Sequence, residues 1–238
     1  MKNTDKRLIV ALDFPTWGEA EKLVNQVPEV MFYKVGLELY LASRGEAVVK
    51  LREMGKEVFL DLKFHDIPNT VAQASRQAVA QGATIFDVHA AGGREMLSKA
   101  AQAVQEQAEF LQVRKPLLLA ITVLTSMDEE DLKDIGLPDL RRTVRAWAKL
   151  AQESGLDGVV ASPQEISLIR ETCGPDFKIL CPGVRPSWAE AGDQKRILTP
   201  RKAIELGADY IVVGRPITQA QDPRLAALRI IEELSTVS

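Results

Sequence analysis

Cysteine and histidine are scarce in this sequence, with two of each among 238 residues. Two cysteines, Cys173 and Cys181, are too few for a disulfide framework, and such scarcity is typical of a protein of the reducing cytoplasm. The histidines, His65 and His89, do not show the ligand spacing of a zinc site, so we expect no metal.

Long apolar runs and an excess of positive charge are also missing. The longest apolar run covers residues 116–123, which is far too short to cross a bilayer, and no signal-peptide segment opens the chain. The formal net charge of -3 excludes a general electrostatic attraction to nucleic acid. We therefore expect neither a membrane nor a nucleic acid as partner, and any bound anion must be held by local groups.

The sequence does contain a repeated alternation of short apolar segments and helical segments. This alternation predicts parallel strands joined by helical crossovers. Eight such units in a row predict a single (β/α)8 TIM barrel domain over residues 1–238. A doubly wound open sheet is the alternative, and it is disfavoured because no Gly-x-Gly-x-x-Gly sequence follows the first strand. The predicted strands cover residues 8–13, 30–36, 57–63, 85–89, 116–123, 157–161, 177–181 and 210–213.

Three expectations concern the connections between these strands. We expect one continuous helix over residues 37–54, ended by Gly55. Asn69 is predicted to cap a helix that runs to Ala80. The acidic run Asp128–Asp134 is expected to be a solvated loop, since a run of like charges is usually exposed.

Polar and glycine residues cluster where the predicted strands end. Active sites of such barrels lie at this carboxyl-terminal end of the strands. A charge at one strand end is unremarkable, but charges at several strand ends of one small barrel indicate a common site. The residues at these positions are Asp13, Lys34, Asp61, Lys63, His89, Thr125, Ser126, Arg185, Gly214 and Arg215.

The segment after the third strand, Asp61–Thr70 (DLKFHDIPNT), concentrates four ionisable groups within six residues. Side chains alternate along a strand, so Asp61 and Lys63 point to the same side. With Lys34 and Asp66 they form a row of alternating charge. A lysine between carboxylates is held as the ammonium, which suits a fixed cation or a proton donor to a carbanion. The alternative is a structural ion network at the barrel rim.

The last two strands are followed by sequences typical of a phosphate site, Pro182–Arg185 and Val213–Pro216. Glycine lets backbone N–H groups approach an anion closely, and arginine binds phosphate through a bidentate fork. Barrels commonly bind phosphate in the loops after strands seven and eight. A tight turn with a solvated arginine would explain either segment alone. Gln194, in the loop after strand seven, is a weaker candidate for the same site.

The segment Asp61–Thr70 resembles the signature of the orotidine 5′-phosphate decarboxylase family in its short bacterial form. The resemblance extends over the whole chain. Shorter segments fall in the family's order as well: residues 11–13, 34–36, 124–126, 182–185, Gln194 and 213–215.

This resemblance implies the conversion of orotidine 5′-phosphate to UMP and carbon dioxide, without cofactor or metal. It implies that Lys63 stabilises and protonates the C6 carbanion beside Asp61. It also implies a homodimer with shared sites, in which Asp66 and Thr70 reach the partner's site beside Ile67. The remaining implied contacts are Asp13 and Lys34 with the ribose, Thr125 and Ser126 with the pyrimidine, and Pro182, Arg185, Gln194, Gly214 and Arg215 around the phosphate.

Two other functions stay open on the sequence alone. The magnesium-dependent keto-gulonate-phosphate decarboxylases and hexulose-phosphate synthases share Asp-x-Lys-x-x-Asp, but they carry an acidic ligand where this chain has Lys34. A positive charge there repels a metal ion. The second possibility is a nucleotide-binding barrel without catalysis, in which Lys63 would be dispensable.

Overall fold

The computed structural model describes residues 4–189 and 198–237, and these form a closed barrel of eight parallel strands. The strands follow one another around the barrel in sequence order, and the last pairs with the first. The predicted (β/α)8 barrel is therefore confirmed, and the open sheet is wrong. The strands are β1 (Leu8–Ala11), β2 (Phe32–Gly36), β3 (Glu57–Phe64), β4 (Ile85–His89), β5 (Leu117–Ile121), β6 (Gly158–Val160), β7 (Lys178–Cys181) and β8 (Tyr210–Val213).

Helices connect successive strands and cover the outside of the barrel. In the part of the chain that the structure describes, none of them has the length and apolar character needed to cross a bilayer. They are α1 (Trp17–Gln26), α2 (Leu37–Ala42), α3 (Glu46–Glu53), α4 (Pro68–Ala80), α5 (Gly93–Leu111), α6 (Glu129–Asp134), α7 (Leu140–Glu153), α8 (Ile166–Cys173), α9 (Pro200–Glu205), α10 (Arg215–Thr218) and α11 (Pro223–Ser235).

Two helix predictions were wrong in their boundaries. The helix expected over residues 37–54 is broken between α2 and α3, where Arg44 and Gly45 have φ of 53° and 82°. A left-handed pair cannot continue a right-handed helix, so the chain turns there. Helix α4 begins at Pro68 with Ile67 as its N-cap, two residues before the predicted cap Asn69. Proline fits the first helical turn because its missing N–H would have no partner there.

The acidic run expected to be a solvated loop instead forms helix α6. The Asp128 carboxylate accepts hydrogen bonds from the backbone N–H groups of Glu130 and Asp131, at 3.1 and 3.3 Å. The Asp131 carboxylate accepts the Asp128 N–H at 2.9 Å, which completes a reciprocal capping box. Leu132 on the same helix is buried. The acidic side chains therefore start a helix, and a single apolar residue anchors it.

The buried residues separate into two apolar clusters. The smaller one contains only strand residues, contributed by all eight strands, and it fills the barrel interior: Ile9, Ala11, Phe32, Phe59, Ile85, Leu119, Ile121, Val160, Leu180 and Val212. The larger cluster lies between the strands and the surrounding helices. Because side chains alternate along a strand, the interior face is set by every second residue.

The amino-terminal end of the barrel is held together by two carboxylates. Asp157, just before β6, accepts the Leu118 N–H at 2.8 Å and contacts the Lys115 ammonium at 2.7 Å. Asp209, just before β8, accepts the Ile179 N–H at 2.9 Å and contacts both Arg170 (2.6 Å) and Lys178 (2.9 Å). Each carboxylate thus ties the start of one strand to the preceding strand and is neutralised by cations. We call this end, defined by Asp157 and Asp209 with their partners, the lower rim.

Candidate active site

The barrel's interior face continues beyond its apolar filling into charged residues at the carboxyl-terminal end. Lys34 lies two residues beyond Phe32, and Asp61 lies two beyond Phe59. The two-residue period of a strand therefore aims these side chains into the barrel mouth. Both residues therefore lie toward the carboxyl-terminal end of the barrel, as the positions of polar residues in the sequence predict.

Four charged side chains form a continuous row across the mouth. The Lys34 ammonium contacts Asp13 Oδ1 at 2.9 Å and Asp61 Oδ2 at 3.3 Å, and the Lys63 ammonium contacts Asp61 Oδ1. The central members are the more buried, because the side chains of Lys34 and Asp61 are 13% and 12% exposed whereas that of Asp13 is 61% exposed. We call Asp13, Lys34, Asp61 and Lys63 the charged row.

Burial and neighbouring charge oppose each other within this row. Burial would raise the pKa of Asp61, but the ammonium groups of Lys34 and Lys63 outweigh it, and the pKa is lowered. Burial would lower the pKa of Lys34, but Asp61 and Asp13 outweigh it, and that pKa is raised. Both groups are therefore held in their charged forms. Gly36 provides space beside them, since a Cβ there would lie 2.9 Å from Lys34 Nζ.

Lys63 has an unusual backbone conformation, with φ of 52° in the left-handed region. The pairing of β3 with β4 shifts its register between Leu60 and Phe64, around this residue. The Lys63 N–H donates a hydrogen bond to Asp87 Oδ1, at 2.7 Å, and not to a backbone carbonyl of β4. A left-handed lysine is strained, and such strain persists only where surrounding contacts impose it. Asp87 is one of those contacts.

Asp87 was missed by the sequence reasoning, which looked for polar residues only at strand ends. It lies inside β4, on the interior face with Ile85, and it is completely buried. Burial and then the neighbouring Asp61 charge raise its pKa well above the usual range. A lone aspartate within the apolar run of residues 85–88 was the signal that could have revealed it.

A cavity of about 140 Å³ opens above the charged row. Three members of the row, Lys34, Asp61 and Lys63, share its wall with apolar side chains and with two predicted site residues, Thr125 and Pro182. A flat, partly apolar ligand would therefore meet two ammonium groups and one carboxylate on one side. This arrangement can stabilise a developing negative charge in a confined space.

A second cavity of about 160 Å³ adjoins the first, and Lys34 and Pro182 line both. The segments predicted to bind phosphate meet in its wall, which includes Gly183, Arg185, Gly214 and Arg215. Arg185 is largely buried, and Asp13 also lines this cavity. The structure thus brings both arginines to one anion-sized space beside the charged row.

Five predicted site residues lie apart from these cavities or outside the described residues. Asp66 and Ile67 are exposed on the segment leading into α4, and Thr70 is exposed in the first turn of that helix. The Asp66 carboxylate accepts the Ile67 N–H at 2.6 Å. Ser126 is exposed beyond Thr125. Gln194 falls outside the described residues. Within one chain, the observed charged row therefore contains Asp13 in place of the predicted Asp66.

The two histidines lie near this mouth but contact each other. Their rings stack with centroids 5.3 Å apart, and Trp147 meets His89 edge-on. Burial, then the charges of His65 and Lys63, lower the pKa of His89. Among residues 4–189 and 198–237, no three His, Cys, Asp or Glu side chains are grouped as a metal site would require.

Comparison with known proteins identifies relatives that match over nearly the whole chain. The family model described as the orotidine 5′-phosphate decarboxylase/HUMPS family matches residues 6–230. A Nostoc orotidine 5′-phosphate decarboxylase is 50% identical over 98% of this chain and 99% of its own length. The Moorella thermoacetica enzyme of that name is 51% identical, over 97% and 93% of the two chains. The crystal structure of the Lactobacillus acidophilus enzyme superposes with a TM-score of 0.86 at 36% identity, covering 97% of this chain and 99% of that one.

Proposed function

The chain belongs to the orotidine 5′-phosphate decarboxylase/HUMPS family and converts orotidine 5′-phosphate to UMP and carbon dioxide in pyrimidine biosynthesis, and we propose how its residues share this reaction. The observation that carries the proposal is the Lys63 ammonium, held against Asp61 in the wall of the central cavity. We place the pyrimidine in this cavity and the phosphate in the adjoining one.

Lys63 supplies the positive charge that stabilises the carbanion formed in the reaction. Loss of carbon dioxide from C6 leaves an electron pair on a ring carbon that delocalises it poorly. A fixed ammonium stabilises that pair and then donates a proton to C6, which leaves a neutral amine that regains its proton from water. Asp61 bridges Lys34 and Lys63, so its first function is to hold the ammonium in place.

The rest of the substrate is bound at a distance from the reacting carbon. Arg185, Gly214 and Arg215 bind the phosphate, together with Gln194 and the backbone at Pro182. Asp13 and Lys34 bind the ribose hydroxyls, and Thr125 and Ser126 face the pyrimidine. Binding energy from phosphate contacts can then be used to orient the ring above Lys63. The shared wall of the two cavities supports this placement.

The positive charges of this site argue for a reaction without metal. A divalent ion would have to displace or approach the Lys34 ammonium, which occupies the space between Asp13 and Asp61. Coulomb repulsion disfavours that arrangement. We therefore favour the metal-free reaction over the magnesium-dependent one known for related barrels, and we place the enzyme in the cytoplasm, where free cysteines stay reduced.

The direct assay follows the ultraviolet absorbance of orotidine 5′-phosphate during incubation with the protein. We expect the absorbance to fall, with UMP and carbon dioxide formed in equal amounts. Binding of the nucleotide with no change in absorbance would indicate a binding protein and would remove the proposed roles of Lys63 and Asp61.

We also propose that the active site is shared between two copies of the chain. Asp66, Ile67 and Thr70 are exposed beside the barrel mouth, and Ile67 is a large apolar side chain with 67% of its surface in solvent. Pro68 keeps Ile67 extended, so the segment leaves the mouth before α4 begins. A partner subunit facing this mouth would cover Ile67 and receive Asp66 and Thr70 in its own site.

Subunit exchange between two inactive variants tests this arrangement. Lys63→Ala and Asp66→Asn chains, mixed equally, should form mixed dimers in which one site has both lesions and the other has none. Random exchange makes half of the dimers mixed, so about a quarter of wild-type activity should return. If the mixture stays inactive after exchange has been demonstrated by mass spectrometry, Asp66 acts within its own chain.

A further inference from the structure

Asp87 is a buried carboxyl group that the proposed reaction does not use. Its Oδ1 accepts the Lys63 N–H at 2.7 Å, and its side chain interacts with the carboxyl group of Asp61. Among the described residues, no donor is directed at Asp87 Oδ2, which is fully buried. Two ionised carboxylates in contact would repel each other, and a buried oxygen without a donor is destabilising.

The groups around Asp87 leave one way to satisfy these contacts. Asp61 and Lys63 face it from β3, and Leu119 is its apolar partner on β5. On its own strand the titratable neighbour is His89, while the more distant Lys34 contacts Asp61 and not Asp87. Asp61 is already bound by two ammonium groups and is held ionised. A proton on Asp87 Oδ2 would turn the repulsive contact into a hydrogen bond.

We propose that Asp87 is a positioning residue that carries a proton: as a neutral acid it donates a hydrogen bond to the Asp61 carboxylate and accepts the Lys63 N–H. One side chain thereby supports both central members of the charged row. It keeps Lys63 in its left-handed conformation, at the point where β3 and β4 lose regular pairing. This inference rests on the proposed roles of Asp61 and Lys63, but its main tests do not require turnover.

A raised pKa at Asp87 makes the stability of the fold depend on pH in a defined direction. Between the unfolded and folded pKa values, the native state binds more protons than the unfolded chain. Stability contributed by this group is therefore full below the unfolded pKa and is lost as pH rises. Asp87→Asn removes that loss, because the amide donates to Asp61 and accepts from Lys63 at every pH.

Infrared spectra at pH 7 and thermal unfolding between pH 4 and pH 8, both on wild type and Asp87→Asn, test for the proton directly. We expect the wild type to show the carbonyl stretch of a protonated carboxylic acid and the variant to lack it. The variant should also unfold at a higher temperature, with the difference growing as pH rises from 4 to 8. The matched control is Asp157→Asn at the lower rim, where the carboxylate also accepts a neighbouring strand's N–H but is paired with Lys115. That control should keep the band and lower the unfolding temperature.

Kinetics then separate positioning from mere structure. Asp87→Asn should keep kcat within about threefold of wild type, whereas Asp87→Val, which has neither donor nor acceptor, should lose kcat by tenfold or more with little change in KM, as expected for lost orientation. An absent protonated-acid band in wild type, or an Asn variant that fails to fold or is as impaired as the Val variant, overturns the proposal. If Asp87→Val does not fold, the infrared and Asn results decide alone.

Discussion

The two ends of the barrel use the same kinds of charged residues in opposite ways. At the lower rim, the oxygens of Asp157 and Asp209 are all occupied by backbone N–H groups or cations. At the opposite, carboxyl-terminal end of the strands, which we call the upper end, Asp61 lies between two ammonium groups and beside the carboxyl group of Asp87. Among the described residues, no donor is directed at Asp87 Oδ2. Carboxylates fully paired at the surface end of a strand stabilise a fold, whereas two carboxyl groups buried side by side indicate a site arranged for chemistry.

The backbone shows the same contrast. The strands pair regularly near the lower rim, while β3 loses its register with β4 around Lys63. Lys63 also has a left-handed backbone conformation, which is unusual for a residue other than glycine. Irregular pairing next to an active site is a common way to re-aim a side chain. We infer that the irregular pairing and the left-handed backbone reduce stability locally, and that they position the Lys63 ammonium.

The largest expected effect is on turnover, at the upper end. Lys63→Ala should lower kcat by at least about 100-fold, since removing one preorganised electrostatic group costs about 3 kcal/mol or more. UMP should still bind, because the phosphate contacts remain. Steady-state kinetics and calorimetric titration with UMP measure these two properties.

Lys178→Ala is the matched control, because it removes the same group from the lower rim, where Lys178 contacts Asp209. It should retain turnover. A Lys63→Ala enzyme within tenfold of wild type, or a folded Lys178→Ala enzyme that is as inactive, would erase the distinction between the two ends.

A smaller effect is expected on substrate affinity. Arg215→Ala should raise KM for orotidine 5′-phosphate by about 10- to 100-fold, since a hydrogen bond to a charged group contributes about 1.5–3 kcal/mol. Arg201→Ala is the control, because Arg201 lies on α9, pairs with Glu205 and lines neither cavity of the site. Equal KM values for the two variants would place the phosphate elsewhere.

The smallest effect is expected on stability, at the lower rim. Asp209→Asn keeps the shape of the side chain but removes its charge beside Arg170 and Lys178. We expect the free energy of unfolding to fall by about 1–3 kcal/mol, as for hydrogen bonds to charged groups, with kcat unchanged. Denaturant titration measures the first quantity. A loss of kcat in the folded variant would show that the lower rim also serves the reaction.

The sequence was sufficient to predict the barrel, which follows from the eightfold alternation of strands and helices, and most of the charged row, which follows from where the strands end. Asp13, Lys34, Asp61 and Lys63 were found at strand ends, and the structure joins them. Asp87 was not found, because it lies within a strand and its importance comes from a neighbour 24 positions away along the chain. Side-chain contacts across strands depend on register, which a strand pattern does not specify.

The wrong helix predictions have local causes that the pattern of apolar and polar residues does not show. The break between α2 and α3 depends on the left-handed conformation of Arg44 as well as Gly45, and arginine gives no warning of it. The acidic segment became α6 because Asp128 and Asp131 cap each other's backbone. The run of like charges correctly predicted that most of these side chains are exposed to solvent, but it did not predict the capping geometry.

The most direct test of the central claim, that side-chain cations and not a metal ion supply the positive charge beside the reacting carbon, is the activity of the enzyme after exhaustive dialysis against EDTA. The rate of orotidine 5′-phosphate decarboxylation should be unchanged, and added magnesium should not increase it. A large loss of activity that magnesium restores would contradict the claim and would transfer the central role from Lys63 to a metal ion.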